Sequence, residues 1–289
     1  MTQEHRLRIG GRDVLLVEGP AGWGECSPFP GYPCDPDRAR RSAEEAATIG
    51  WPDRVRDGVP VNAYMGATHD LGTGMTDLID GLGGCTSVKV KVGRASPAAD
   101  IDRIARVRDI GGPTLRIRVD ANGAWDVATA IETLTRLTPY DLEFAEQPVA
   151  RIEDLATVRR NVSVLIAADE CVRSVDDARH LRELGAADVL VLKVQPLGGV
   201  RAALEIADAA GVSTVVTSMY ETSIGIAAGL ALACALPELP FACGLATLGE
   251  IAGDVTTEPL VPHRGMLTIP TTFPPRPSSE LLARYAVAA

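Results

Sequence analysis

TSVKVKVG, residues 86–93, sets two lysines, Lys89 and Lys91, two positions apart in a run of Val. Alternating β-branched residues read as a strand, and a period of two sends both ammonium groups to one side of it. A charged pair on the inward face of a buried strand costs free energy unless something there requires it. An edge strand with a solvated lysine face would carry the same letters, so the rest of the chain must decide.

Outward from this stretch the pattern is regular. Strand candidates are VPVNAYM (59–65), LRIRVD (115–120), LEFAE (142–146), VLIAAD (164–169), DVLVLK (188–193), STVVTS (213–218) and FACG (241–244). Amphipathic helices separate them. Ser96-Pro97 predicts a helix start, Asp126 another, and Ser174 with Asp177 a capping box; Gly185 and Gly211 read as stops. From Asp120 onward the strand ends (Asp120, Glu146, Asp169, Lys193, Ser218, Gly244) recur every 23 to 26 residues. That interval holds one strand, one helix and two short loops. About eight such units predict an α/β fold, a TIM-like (β/α)7β barrel, with functional residues at the C-terminal strand ends. An open doubly wound sheet would need a GxGxxG turn after its first strand, which is missing.

Residues 1–58 differ from this repeat. DVLLVEG (13–19) reads as a strand, GPAGWGECSPFPGYP as Gly/Pro-rich connection, and Asp37 to Ile49 as a charged helix. The expected organisation is a small α+β capping domain over 1–58, the barrel over 59–253, and a Pro-rich tail over 254–289 packing on the cap.

Composition limits the partners. The chain has 289 residues, a formal net charge of −10 and no Lys/Arg block, which disfavours nucleic acid and anionic membrane. Ile224–Leu236 is the most apolar helix candidate and is too short to span a bilayer. The first residues, MTQEHRLRIGG, lack a signal-like apolar run. Six scattered cysteines without a CxxC suit reduced thiols, so a cytoplasmic protein is expected. No pattern sets an oligomeric state.

The last inward positions of consecutive strands are Lys89 and Lys91, then Asp120, Glu146, Asp169 and Lys193. Three carboxylates crowded together cannot all stay ionised without a cation. Hard oxygen donors without His or Cys predict Mg²⁺ or Mn²⁺ at Asp120, Glu146 and Asp169. Strands two and six of an eight-stranded barrel lie opposite, so Lys91 and Lys193 are expected to flank the metal from facing walls. That suits removal of a proton α to a carboxylate of a small-molecule substrate, through an enediolate. Lys89 and the metal charge should help to lower the pKa of Lys91. His5, His69, His180 and His263 fall outside the strand ends and read as structural. Arg116 and Arg118 share Asp120's phase; either an acid pairs with them inside or a bulge rotates them out.

KVKVG, RVDANGAW, EQP, ADE and LKVQPLGG, in this order and spacing, resemble the enolase superfamily and its muconate-lactonizing branch. TSMYETSIGIAAGLALACALPELP, CGLATL and the early GWGECSPF extend the resemblance over nearly the whole chain, to the actinobacterial o-succinylbenzoate synthases. The resemblance implies Mg²⁺-dependent syn-dehydration of 2-succinyl-6-hydroxycyclohexa-2,4-diene-1-carboxylate in menaquinone synthesis. It makes Lys91 the base, Lys193 the opposite-face stabiliser, and Lys89 the group that polarises the substrate carboxylate. Asn122, Ser218 and the Gly244 backbone become substrate contacts, a turn role for Asn122 being the alternative. An N-succinylamino-acid racemase or dipeptide epimerase would use the same opposed lysines, and a non-catalytic barrel would use none. Departures are a short N-terminal segment, whose closing loop would be Arg6–Gly11, Cys171 in place of Ser, and bulky Met219-Tyr220 at the pocket.

Overall fold

The computed structural model describes residues 1–66 and 83–287; His69 lies outside them. Three antiparallel strands, β1 (Gln3–Ile9), β2 (Arg12–Gly19) and β3 (Gly22–Cys26), form a meander on which helix α1 (Pro36–Thr48) packs. Helix α1 begins where predicted to within a residue, with Asp35 accepting from the Asp37 amide. Leu7, Ile9, Val14, Leu16 and Trp23 bury the meander's other side against Ile224 and Val255. The cap therefore shares its core with the rest of the chain.

A curled seven-stranded parallel sheet follows: β5 (Ala63–Met65), β6 (Ser87–Lys91), β7 (Arg116–Asp120), β8 (Leu142–Glu146), β9 (Ile166–Ala168), β10 (Val189–Leu192) and β11 (Ser213–Val216), hydrogen-bonded in chain order. Helices α2 (Pro97–Gly111), α3 (Val127–Leu137), α4 (Ile152–Asn161), α5 (Val175–Leu184), the one-turn α6 (Val194–Leu197) and α7 (Val200–Ala210) lie between successive strands. Their starts follow from side-chain chemistry. Ser96, Asp126 and Ser174 each accept a hydrogen bond from an amide of the first turn and satisfy one of the orphan donors there. Gly185 and Gly211 end α5 and α7 in the left-handed conformation.

The stretch read as one strand over 59–65 is two. Its first part, β4 (Gly58–Pro60), pairs antiparallel with β12 (Met266–Thr268), and only its second part joins the parallel sheet. FACG forms bridges rather than a ladder: Val61 pairs with Cys243, and Thr217 with Gly244. Asn62 donates to the Cys243 carbonyl at 2.9 Å and the Gly244 amide to that of Val216 at 2.8 Å. Residues 241–244 thus touch both edges of the sheet, giving it a TIM-barrel-like curl. Helix α8 (Ser223–Ala235) runs behind them and is buried on nearly every side, as its unbroken apolar sequence requires. Among the described residues no helix is long and apolar enough to cross a membrane.

The tail does not simply pack on the cap. Val255 at its start joins the cap's core, β12 then pairs with β4, and α9 (Ser279–Tyr285) and its exit return to β1, where the Val287 amide donates to the Arg6 carbonyl.

The arginine question resolves both ways. Arg118 points inward, pairs with Glu143 and lies 4.6 Å from the Phe144 ring centroid, while Arg116 is exposed at the strand's start. The β7–β8 register also shifts between Ile117 and Arg118.

Candidate active site

Inward phase selects the site. Phe144, Ala167, Val189, Val191 and Val215 form one apolar cluster within the curl. Counting on by two from Phe144, Ala167 and Val191 gives Glu146, Asp169 and Lys193; Arg118 leads likewise to Asp120, and Lys89 to Lys91. The lower layer packs its apolar members beside Lys89 and Arg118, and the layer above it carries Lys91, the three acids and Lys193.

Asp120, Glu146 and Asp169 are each at most 2% exposed. Asp120 and Glu146 are register partners on adjacent strands. Lys89 reaches Glu146 Oε1 at 3.1 Å and Asp120 Oδ2 at 3.2 Å, and Lys91 reaches Asp120 Oδ2 at 2.5 Å. Lys193 pairs with Asp169 Oδ2. Along the strand order the row therefore reads Lys91–Asp120, Lys89–Glu146, Asp169–Lys193, with the two outer lysines at its ends and both lining one cavity.

The expected tight gathering of three carboxylates takes a different form. Among the described residues no three acidic, His or Cys side chains converge as a metal-holding group. Each acid pairs with an ammonium group, which supplies positive charge, and Lys89 bridges Asp120 and Glu146. The acids still feel one another. Burial, then the Asp120 charge, pushes the Glu146 carboxyl up to about 7. Burial also raises Asp169, with Lys193 opposing. For Asp120 burial is outweighed by Lys89 and Lys91, which hold it below the usual carboxylate range. For Lys89 burial, which would lower it, is outweighed by Glu146, Asp120 and Asp169, so Lys89 stays a cation.

Asn122 takes the turn role and also lines the cavity. It has φ 47°, and its amide donates to Asp120 Oδ1 as a turn residue does. Its side chain accepts from Lys91 at 2.6 Å and donates to Glu170 Oε1 at 2.7 Å. Ser218 lines the cavity but donates its hydroxyl to the Gly244 carbonyl. Gly244 lines the same cavity, and its own N–H and C=O are both taken in closing the curl. Its role is space: a Cβ there would lie 2.3 Å from Thr217 Oγ1. Gln147 of the EQP stretch accepts from the Asp169 amide at 2.7 Å and so ties two strand ends together.

The cap reaches the site by a different route from the one expected. Arg6 to Gly11 lie in β1 and its hairpin turn; Arg6 and Arg8 pair with Glu4 and Asp13 at the surface. The loop after β3 delivers Phe29, Gly31 and Tyr32 to the cavity instead. Tyr32 donates to Asp169 Oδ1 at 2.8 Å, and its ring centroid lies 4.4 Å from Lys193 Nζ. Burial, then the Asp169 charge, holds the Tyr32 hydroxyl well above its usual range, so it donates. The aromatic residues of SPFPGYP were the available signal, but nothing local says where such a loop lands. Asn62, Tyr64, Arg94, Thr217, Met219, Tyr220 and Thr247 complete the lining of a cavity of about 280 Å³, suited to a small molecule. His5, His180 and His263 lie elsewhere: His5 beside Glu18, His180 on Glu153, His263 in a bridge to Met266.

Comparison with known proteins bears on the fold and the family. Residues 77–274 match the enolase C-terminal domain-like family and residues 3–47 the enolase N-terminal domain-like family. An o-succinylbenzoate synthase of Thermobifida fusca is 52% identical over 261 residues, covering 89% of this chain and 81% of that one. One of Mycobacterium tuberculosis is 43% identical over 276 residues, covering 93% and 83%. Muconate cycloisomerase of Pseudomonas fluorescens superposes with a TM-score of 0.87 at 23% identity, covering 99% and 98% of the two chains. The muconate lactonizing enzyme of Pseudomonas putida gives 0.86 at 23%, covering 99% of each. These two show the fold; the closer relatives show the family. The chain belongs to the o-succinylbenzoate synthase family of the enolase superfamily.

Proposed function

We propose that this lyase catalyses the syn-dehydration of 2-succinyl-6-hydroxycyclohexa-2,4-diene-1-carboxylate to 2-succinylbenzoate in menaquinone synthesis. The observation that carries the reading is the row of three buried carboxylates on adjacent strand ends with a lysine at either end. The parallel sheet with residues 241–244 as eighth strand is read as a (β/α)7β barrel over 59–253, with 1–58 and 254–289 around it. The absence of a spanning helix among the described residues and the family's chemistry support a cytoplasmic enzyme.

The donor set suits Mg²⁺ or Mn²⁺: three oxygen-bearing acids, buried, with neither His nor Cys among them. Held by Asp120, Glu146 and Asp169, such an ion would supply the positive charge that a carboxylate needs as its α-proton leaves. Lys91 takes that proton from C1 of the ring, and the C–H electrons pass into the carboxylate as an enediolate. They return to break the adjacent C–O bond, and the departing hydroxyl leaves as water with the proton that Lys91 hands back on the same face. Lys193 faces the developing charge from the other end of the row, and Lys89 polarises the substrate carboxylate. Asn122 orients Lys91, and Ser218 shapes the pocket floor through the Gly244 carbonyl. Aromatisation drives the step forward, so the residues need only position and exchange one proton.

Turnover of the cyclohexadiene acid should vanish under chelator and return with Mg²⁺. Turnover that persists without divalent ion, or none with it, would overturn the proposal. Lysines at both ends of the acid row also favour a second reading, racemisation of N-succinylamino acids. α-Deuteration with racemisation in D₂O, beside negligible dehydration, would place it first.

A further inference from the structure

The seam between cap and sheet contains two fully enclosed acids that the reaction does not use. Glu25 on β3 and Glu221 after β11 are each 4% exposed. Glu25 is saturated with donors: Ser27 Oγ and Thr222 Oγ1 at 2.5 Å, the Gly225 amide at 3.0 Å and the Thr222 amide at 3.3 Å. It sits at the N-terminus of α8, where the helix favours negative charge. Glu221 has fewer: the Met219 amide at 2.6 Å and Gln195 Nε2 at 3.4 Å. Gly225 lets both acids approach, since a Cβ there would lie 2.4 Å from Glu221 Cβ and 3.1 Å from Glu25 Cδ.

The charged and titratable groups facing Glu221 are Glu25 from β3, Arg12 from β2 and the Cys34 thiol ahead of α1. From α6 the neutral Gln195 faces it. Arg12 gives its N–H groups to backbone carbonyls: Met219 at 3.2 Å, Tyr220, and Ser27 at 2.6 Å. Met219 is thus gripped on both sides, its N–H by Glu221 and its C=O by Arg12. Tyr220 has φ 62°, a conformation a bulky residue keeps only when its surroundings impose it. Its ring meets Phe29 at 5.2 Å and Tyr64 at 6.1 Å, and all three line the cavity. Glu25 and Glu221 therefore meet across Gly225, and Arg12, the cation facing Glu221, is also the clamp on the pocket wall.

We propose that Arg12, Glu25 and Glu221 form a proton-dependent latch that seats the cap and positions the Met219–Tyr220 wall of the pocket. With one proton on the acid pair the buried cluster is neutral; without it the cluster carries one uncompensated negative charge, and the wall loosens. Burial, then the Glu25 charge, pushes Glu221 up to about 7. A folded-state value above the unfolded one means that the native protein holds the extra proton. The latch is therefore strongest below the unfolded value, and its contribution falls as pH rises to about 7.

The claim for the wall rests on the lyase reading; the claim for the latch does not. Thermal melting of the full chain and calorimetric titration with 2-succinylbenzoate, from pH 5 to 8.5, test them separately. In Glu221→Gln the neutral side chain should abolish the latch's pH dependence. Its Tm should exceed the wild type's at pH 8 by on the order of 5 °C, with the difference shrinking toward pH 5. Wild-type affinity for 2-succinylbenzoate should fall several-fold from pH 6 to 8, and that of Glu221→Gln should stay level. Arg12→Met should weaken binding at every pH and carry the wild-type loss of Tm to higher pH. This variant decides the matter if Glu221→Gln does not fold. Parallel Tm profiles for wild type and variants would overturn the latch. Failure of 2-succinylbenzoate to bind at any pH would overturn the claim for the wall and count against the lyase reading, while the Tm comparison still decides the latch.

Discussion

Arg118→Met tests whether the buried guanidinium fastens the curl of the sheet. The Arg118 side chain is 1% exposed, and its partner Glu143 is 11% exposed. Nη1 donates to Asn62 Oδ1 at 3.0 Å and to the Ala242 carbonyl at 2.6 Å. It thereby links β7, the approach to β5, and the segment that bridges the sheet's two edges. The guanidinium carbon lies 4.6 and 5.9 Å from the ring centroids of Phe144 and Phe241, which meet each other edge to face. Removing the cation leaves a largely buried carboxylate with only the exposed Arg116, 3.5 Å away, as an opposite charge, and strips two acceptors of their donor. Loss of one partner from a buried pair costs about 3–5 kcal/mol. At about 2–4 °C per kcal/mol for a domain of this size, Tm should drop by roughly 6–20 °C. Replacing Glu143 as well, in Arg118→Met/Glu143→Met, removes the orphaned charge and should recover most of that loss. Melts at one fixed scan rate, with exchange of the Cys243 and Gly244 amides followed in parallel, give both readouts. A single variant within about 2 °C of wild type, or a double variant no better than the single, would refute the reasoning.

Lys91→Ala and Lys193→Ala should each lower kcat by about two to four orders of magnitude with the circular dichroism spectrum unchanged; wild-type turnover in either would remove that lysine from the mechanism. Tyr32→Phe keeps the ring over Lys193 but deletes the hydrogen bond to Asp169. A bond to a charged acceptor is worth about 1.5–3 kcal/mol, so kcat/KM should fall roughly ten- to a hundred-fold, and no change would show that the cap loop does not act on the site. Gly225→Ala would drive a methyl into Glu221 and Glu25 and should destabilise the protein by about 1–3 kcal/mol, as overpacking does; melting measures it.

The sequence and the structure divide the explanation along physical lines. Repeat length, helix caps and the row of charged strand ends are local or periodic properties, and they were legible in the letters. Ser96, Asp126 and Ser174 act on amides two or three residues away, so short-range chemistry decides them. The alternation that brings Lys89, Lys91, Asp120, Glu146, Asp169 and Lys193 to one face is a property of extended backbone. It holds in any parallel sheet whose strands lie in chain order.

What stayed hidden depends on contacts between residues far apart in the chain. VPVNAYM has the letters of a single strand, yet it splits because β12, two hundred residues later, claims its first half. The resemblance puts the lid at Arg6–Gly11, while the stretch holding Phe29 and Tyr32 reads only as Gly/Pro-rich connection. Which one reached the cavity followed from how the meander docks on α8, and that depends on Glu25 finding the amides of Thr222 and Gly225. Periodicity places side chains on a face; only packing between elements decides which faces meet.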